Sequence, residues 1–140
     1  MDAATLEKLK RYFVDRPSLG VASAYLFGSH AAGRDHRESD LDVAVLLLWD
    51  RHPSARDRFE ARVDLISDLG AALGRNDVDL VILNDAPPLL GRRISYEGRR
   101  IFLGDAAADH AFVRDVQLRA ADLEPWLQRL RGIQLEALAR

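Results

Sequence analysis

A chain of 140 residues fits one domain, long enough to bury roughly two thirds of the surface that its unfolded form exposes. With 48% hydrophobic and 30% charged residues and a formal charge of -2, it is neither disordered nor fibrous, and its overall field does not favour nucleic acid. Cysteine is absent, which excludes a disulfide framework and a zinc–thiolate site; Met1 to Lys10 carries no apolar signal-peptide core, and no apolar run nears the roughly 20 residues that span a bilayer, so a cytoplasmic protein without direct nucleic-acid or membrane binding is expected.

Leu6, Leu9 and Phe13 recur at helical spacing among Glu7, Lys8, Lys10 and Arg11, which predicts an amphipathic helix ending near Pro17. After Gly20, the apolar stretch Val21 to Phe27 predicts a buried strand, and Gly28-Ser29 closes it with the freedom of a tight turn. His30 to Ser39 is polar, contains Gly33, and is expected to form a turn of helix and a loop. From Asp40 to Trp49 the run Val43-Ala44-Val45-Leu46-Leu47-Leu48 predicts a central strand covered on both faces.

Ser54 is a candidate N-cap for a helix whose one face is expected to carry Phe59, Val63, Ile66, Leu69 and Leu73, with Gly74 stopping it. Val78 to Leu83 predicts a third strand, compatible with parallel or mixed pairing across a helical crossover. A short helix from about Pro88 to Tyr96 leads through Gly98 to Arg100-Ile101-Phe102-Leu103, expected as a short edge strand. Phe112, Val116, Ala120, Leu123, Leu127 and Leu130 then keep helical spacing, with Pro125 expected to bend that helix or begin another. The order predicts one domain over 1–140, a mixed α/β (α+β) fold with a core at about 21–103 and C-terminal helices at about 106–138.

Side chains alternate along a strand, so Asp40 and Asp42 share one face while Leu41, Val43 and Val45 take the other. Two carboxylates at close range repel unless a cation or proton intervenes, and hard oxygen ligands beside a phosphate suit magnesium. Asp79, one residue into the next predicted strand, or Asp77, two residues before it on the same face, could complete a three-carboxylate cluster. Asp79 is favoured because Val78 and Leu80 flank it and suggest burial, whereas Asp77 follows Asn76 and resembles turn chemistry. Gly28 permits close backbone approach, and Ser29 with adjacent N–H groups could hold phosphate oxygens. In a two-metal displacement Asp40 and Asp42 would bind both ions, and Asp79 would bind one ion and accept the proton of the attacking hydroxyl, which is the chemistry of nucleotidyl transfer.

The pattern Gly28-Ser29, ten residues, Asp40-Leu41-Asp42 resembles the signature of the DNA polymerase beta-like nucleotidyltransferase superfamily. Leu26-Phe27-Gly28-Ser29-His30-Ala31-Ala32-Gly33, Ser39 before the first aspartate, and Val78-Asp79-Leu80-Val81 are similar to the minimal nucleotidyltransferases within it. The resemblance covers roughly 21–103. It implies a mixed sheet of about four strands flanked by helices, two Mg2+ ions with ATP as donor, and Gly28, Ser29, Asp40, Asp42 and Asp79 as the active positions. It further implies an antitoxin paired with a HEPN-domain ribonuclease toxin, to a tyrosine of which AMP is transferred. Retention of all three carboxylates favours an active enzyme. A small hydroxylated acceptor, or neutralisation by contact alone, are the alternative readings. Members often carry arginine after Gly-Ser where this chain has His30, which leaves open how the phosphates are neutralised.

Other residues carry less. Arg34 and Arg37 lie in the loop between the two halves of the motif, and His36, His52 and His110 show no metal-ligand spacing. Arg92, Arg93, Arg99 and Arg100 form a possible basic rim. Trp49 and Trp126 read as packing or interface residues, and the C-terminal leucines exceed what covering the sheet requires, which suggests a docking surface.

Overall fold

The computed structural model describes residues 1–28 and 40–139. Ser29 and the expected turn and loop from His30 to Ser39, with Arg34, His36 and Arg37, lie outside the described residues. The elements run in the order α1 (Ala3–Val14), β1 (Val21–Phe27), β2 (Leu41–Leu47), α2 (Ala55–Leu73), β3 (Val78–Ile82), α3 (Pro88–Glu97), β4 (Arg99–Leu103) and α4 (Ala106–Ala139). All four predicted strands are present. The second is shorter than predicted, because it starts at Leu41, where the backbone N–H first pairs with Asp77 O at 3.1 Å, leaving Asp40 just before it.

The sheet order is β3-β2-β1-β4, with β1 antiparallel to both β2 and β4 and β2 parallel to β3. The parallel pair follows from the 19-residue crossover helix α2, since a tight turn joins only antiparallel strands. Ser54 caps α2 as expected: its side chain accepts from Asp57 N, and Asp57 closes a capping box. Gly74 ends the helix with φ +66.

Strand alternation divides the core into two layers. Leu9 and Phe13 of α1 and Leu65 and Leu69 of α2 pack on Leu26, Leu41, Val43, Val45 and Leu80. On the other face, Ile94 of α3 and Phe112 of α4 cover Ala22, Tyr25, Ala44 and Leu46. Each fully buried side chain of this size stabilises by roughly 1.5–3 kcal/mol, so both interior strands are clamped from above and below.

Two helical expectations need correction. Ile66, Leu69 and Leu73 pack on the sheet as expected, but Phe59 and Val63 are exposed, and the N-terminal half of the inward face carries Arg58, Ala61, Arg62 and Leu65 instead. Arg58 and Arg62 are turned toward the domain, where they bond Asp85, His52 O and Leu80 O. Pro125 does not start a new helix; α4 continues from Ala106 to Ala139 around it. Pro125 lies in an exposed part of the helix, where the carbonyl deprived of its N–H partner faces solvent rather than a packed core. Among the described residues, no helix is long and apolar enough to cross a membrane.

Candidate active site

The site is built where β1 ends and β2 and β3 begin. In the parallel ladder Asp42 is the register partner of Asp79, so both side chains leave the same face of the sheet from adjacent strands. On its other side Asp42 pairs with Phe27, the last residue of β1, which brings Gly28 beside it. Gly28 has φ +75, and a Cβ at that position would overlap the Asp42 carboxylate at Oδ2. Gly28 is therefore required twice, for its left-handed backbone and for the space that the carboxylate occupies.

Asp40 stands two residues before Asp42 and is exposed, Asp42 is half-buried, and Asp79 is exposed. The expectation that Asp79 would be buried fails for a topological reason. Its apolar neighbours belong to an edge strand, and Val78, Leu80 and Ile82 turn into the α2 layer while Asp79 leaves the opposite face. Its Oδ1 lies 3.9 Å from Arg62 Nη2 of α2. Among the described residues, no three histidine, aspartate or glutamate side chains stand close enough together to hold a metal ion. The strands thus bring Asp42 and Asp79 side by side, Asp40 stands at the entrance to β2, and Ser29 lies outside the described residues.

Asp77 behaves as turn chemistry. It grips Arg75 through two short hydrogen bonds, Nε to Oδ1 at 2.7 Å and Nη2 to Oδ2 at 2.6 Å, while its carbonyl receives Leu41 N. The hydrogen bond to Asp77 raises the Arg75 pKa above its ordinary value, with the charges of Asp77, Asp2 and Asp40 adding to it. A permanent cation therefore sits beside the start of β2, on the approach to the carboxylates.

Several of the remaining candidates have structural partners. His52 Nε2 is 2.8 Å from Leu19 O, which ties the loop after β2 to the start of β1. Of the four arginines proposed as a basic rim, Arg92 pairs with Glu124, Arg93 with Glu97 and Arg100 with Asp109. Trp49 is exposed, with the Arg58 guanidinium 4.8 Å from its ring centroid. Arg58 also grips Asp85 and donates to His52 O.

Two groups were not singled out in the sequence. Asp109, only 2% exposed, accepts from Ser23 Oγ at 2.6 Å and Tyr25 Oη at 2.7 Å and pairs with Arg100 at 3.1 Å, fastening α4 to β1 and β4. Arg62 donates from Nε to Leu80 O at 2.8 Å. Its only sequence signal is the spacing Arg62, Leu65, Leu69, which places an arginine on the apolar side of its helix.

Residues 7–107 match the family model described as polymerase beta, nucleotidyltransferase. The chain belongs to this nucleotidyltransferase family. Protein adenylyltransferase MntA of Shewanella oneidensis is 39% identical over 80 residues, 56% of this chain and 51% of that protein, so the chain spans about half the length of this curated relative. A toxin–antitoxin crystal structure with AMP-PNP superposes with a TM-score of 0.70 at 28% identity, covering 93% of this chain and 98% of that one. A complex of tri-AMPylated Shewanella oneidensis HEPN toxin with MNT antitoxin gives 0.66 at 25% identity, covering 96% and 99%. The four-stranded mixed sheet, its flanking helices and the C-terminal helix are those of the nucleotidyltransferase family fold.

Proposed function

We propose that this protein is a magnesium-dependent nucleotidyltransferase that transfers AMP from ATP to a tyrosine hydroxyl of a HEPN-domain ribonuclease toxin, and so acts as its cytoplasmic antitoxin. Residues 1–140 would serve as one catalytic domain. The observation that carries the reading is the register of Asp42 with Asp79, with Gly28 pressed against Asp42. It agrees with the likeness to an MntA adenylyltransferase and to an AMPylated toxin in complex with its antitoxin.

Asp42 and Asp79 offer carboxylate oxygens from one face of adjacent strands, a donor pair that suits a hard divalent cation, and Asp40, one pleat before Asp42, would be the third ligand. Bound by Asp40, Asp42 and Asp79, Mg2+ would neutralise triphosphate oxygens and acidify the acceptor hydroxyl. Gly28 leaves the backbone open to the phosphates, and Ser29 would hold them. In the transfer, the tyrosine oxygen forms a bond to the α-phosphorus while the bond from that phosphorus to the α,β-bridging oxygen breaks. Pyrophosphate leaves with the bonding pair, and Asp79 takes the phenolic proton before passing it to water.

Purified protein incubated with labelled ATP, Mg2+ and a HEPN partner tests the reading. Label on the partner's tyrosine and loss of its ribonuclease activity are expected with the wild type only. An Asp40→Ala, Asp42→Ala variant that neutralises equally without label transfer would show an antitoxin that works by contact. That second reading is favoured by one observation: Leu123, Trp126, Leu130, Ile133, Leu135 and Leu138 of α4 are exposed.

A further inference from the structure

Among the described residues the edge strand β3 pairs with β2 alone, and Asp79 sits on it with its carboxylate exposed. An exposed aspartate on an edge strand has rotamer freedom and a neighbour, Asp42, of the same charge. Both features work against a fixed ligand geometry. Arg62 opposes both from across the strand. Its Nε donates to Leu80 O at 2.8 Å, which fixes the backbone immediately after Asp79, and its Nη2 stands 3.9 Å from Asp79 Oδ1. One guanidinium fork thus addresses the strand and the carboxylate together, which a lysine ammonium cannot do with equal geometry.

We propose that Arg62 is a positioning residue of the site: it acts through Asp79, holding the edge strand in place and supplying the counter-charge that limits the rotamers of the Asp79 carboxylate and offsets its repulsion with Asp42. The inference rests on the reading of Asp79 as a member of the carboxylate set. A purely structural tie between α2 and β3 would need only the hydrogen bond to Leu80 O. The charge beside Asp79 is what a positioning role adds.

Mn2+ alone, titrated against the full chain and followed by the EPR signal of the free ion, tests this without turnover. Arg62→Gln retains a donor for Leu80 O but loses the charge, and is expected to weaken Mn2+ binding about tenfold, the lower end of what loss of a ligand's supporting partner costs. In an Asp79→Asn background the same change is expected to have no further effect. Arg62→Lys, which keeps the charge, recovers part of the binding and covers the case in which Arg62→Gln fails to fold. In AMP transfer, kcat falls while the KM for ATP holds. Unchanged Mn2+ binding in Arg62→Gln, or an equal loss in the Asp79→Asn background, overturns the inference alone. A wild type that binds no Mn2+ overturns the reading of the carboxylate site, and the inference with it.

Discussion

Gly28→Ala separates two demands that the site makes on one residue. At φ +75 an alanine occupies the left-handed region at a cost of roughly 1–2 kcal/mol. Its methyl group would also overlap Asp42 Oδ2, so the carboxylate must leave its rotamer, for about 0.5–1.5 kcal/mol more. Gly74 provides the control, because it has φ +66 and a methyl group there would meet nothing within 4 Å. Gly74→Ala is therefore expected to lose about 1 kcal/mol in urea denaturation and to transfer AMP normally. Gly28→Ala should lose about 1 kcal/mol more and, with Asp42 displaced by on the order of 1 Å, about a hundredfold in kcat. Equal losses of stability and activity in the two variants would show that the contact with Asp42 has no role.

Asp109→Ala leaves Ser23, Tyr25 and Arg100 without their common acceptor and should cost roughly 3 kcal/mol by urea denaturation; a loss under about 1 kcal/mol would deny the latch. The Tyr12 and Tyr25 phenols are both pushed above their ordinary range, first by burial and then by hydrogen bonds to Asp68 and Asp109. Since the unfolded chain gives up these protons first, their contribution is whole below about pH 10 and is lost as the pH rises through the folded values. Urea midpoints should fall from about pH 10 upward, less steeply in Tyr25→Phe, whereas a flat wild-type profile would contradict the sign. Truncation after Asp122 removes, among the described residues, only side chains that are exposed or half-buried, together with the exposed Arg92–Glu124 pair, and should shift Tm by no more than about 2–4 °C. A larger fall would mean that the distal part of α4 supports the domain.

The carboxylate pairing was legible in part, because alternation fixes the face of each aspartate on its own strand while the parallel register sets the two side by side. Asp42 and Asp79 each sit among apolar residues in short runs, and parallel pairing of those runs places them side by side. The exposure of Asp79 was not legible, since the composition Val-Asp-Leu-Val-Ile-Leu is the same for a central strand and an edge, and strand order decides between them. Phe59 and Val63 misled for a related reason. Apolar side chains mark a helix face only when the polar ones on the facing side have no partner, and here Arg58 finds Asp85 and His52 O while Arg62 finds Leu80 O. The excess of C-terminal leucines already pointed to exposure of this stretch of α4, but spacing alone did not say that the helix would run on past Pro125. The Asp109 latch joins residues 84 and 86 positions apart, beyond the reach of any spacing rule.

The central claim is that Asp79, rather than the neighbouring Asp77, joins Asp42 in AMP transfer. Intact mass spectrometry of a HEPN partner incubated with ATP and Mg2+ tests it most directly, using Asp79→Asn and Asp77→Asn proteins with confirmed folded spectra. The Asp77→Asn protein is expected still to add AMP to the partner's tyrosine, at a reduced rate because Arg75 loses part of its clamp, while Asp79→Asn adds none. AMP addition by Asp79→Asn at the wild-type rate would contradict the claim.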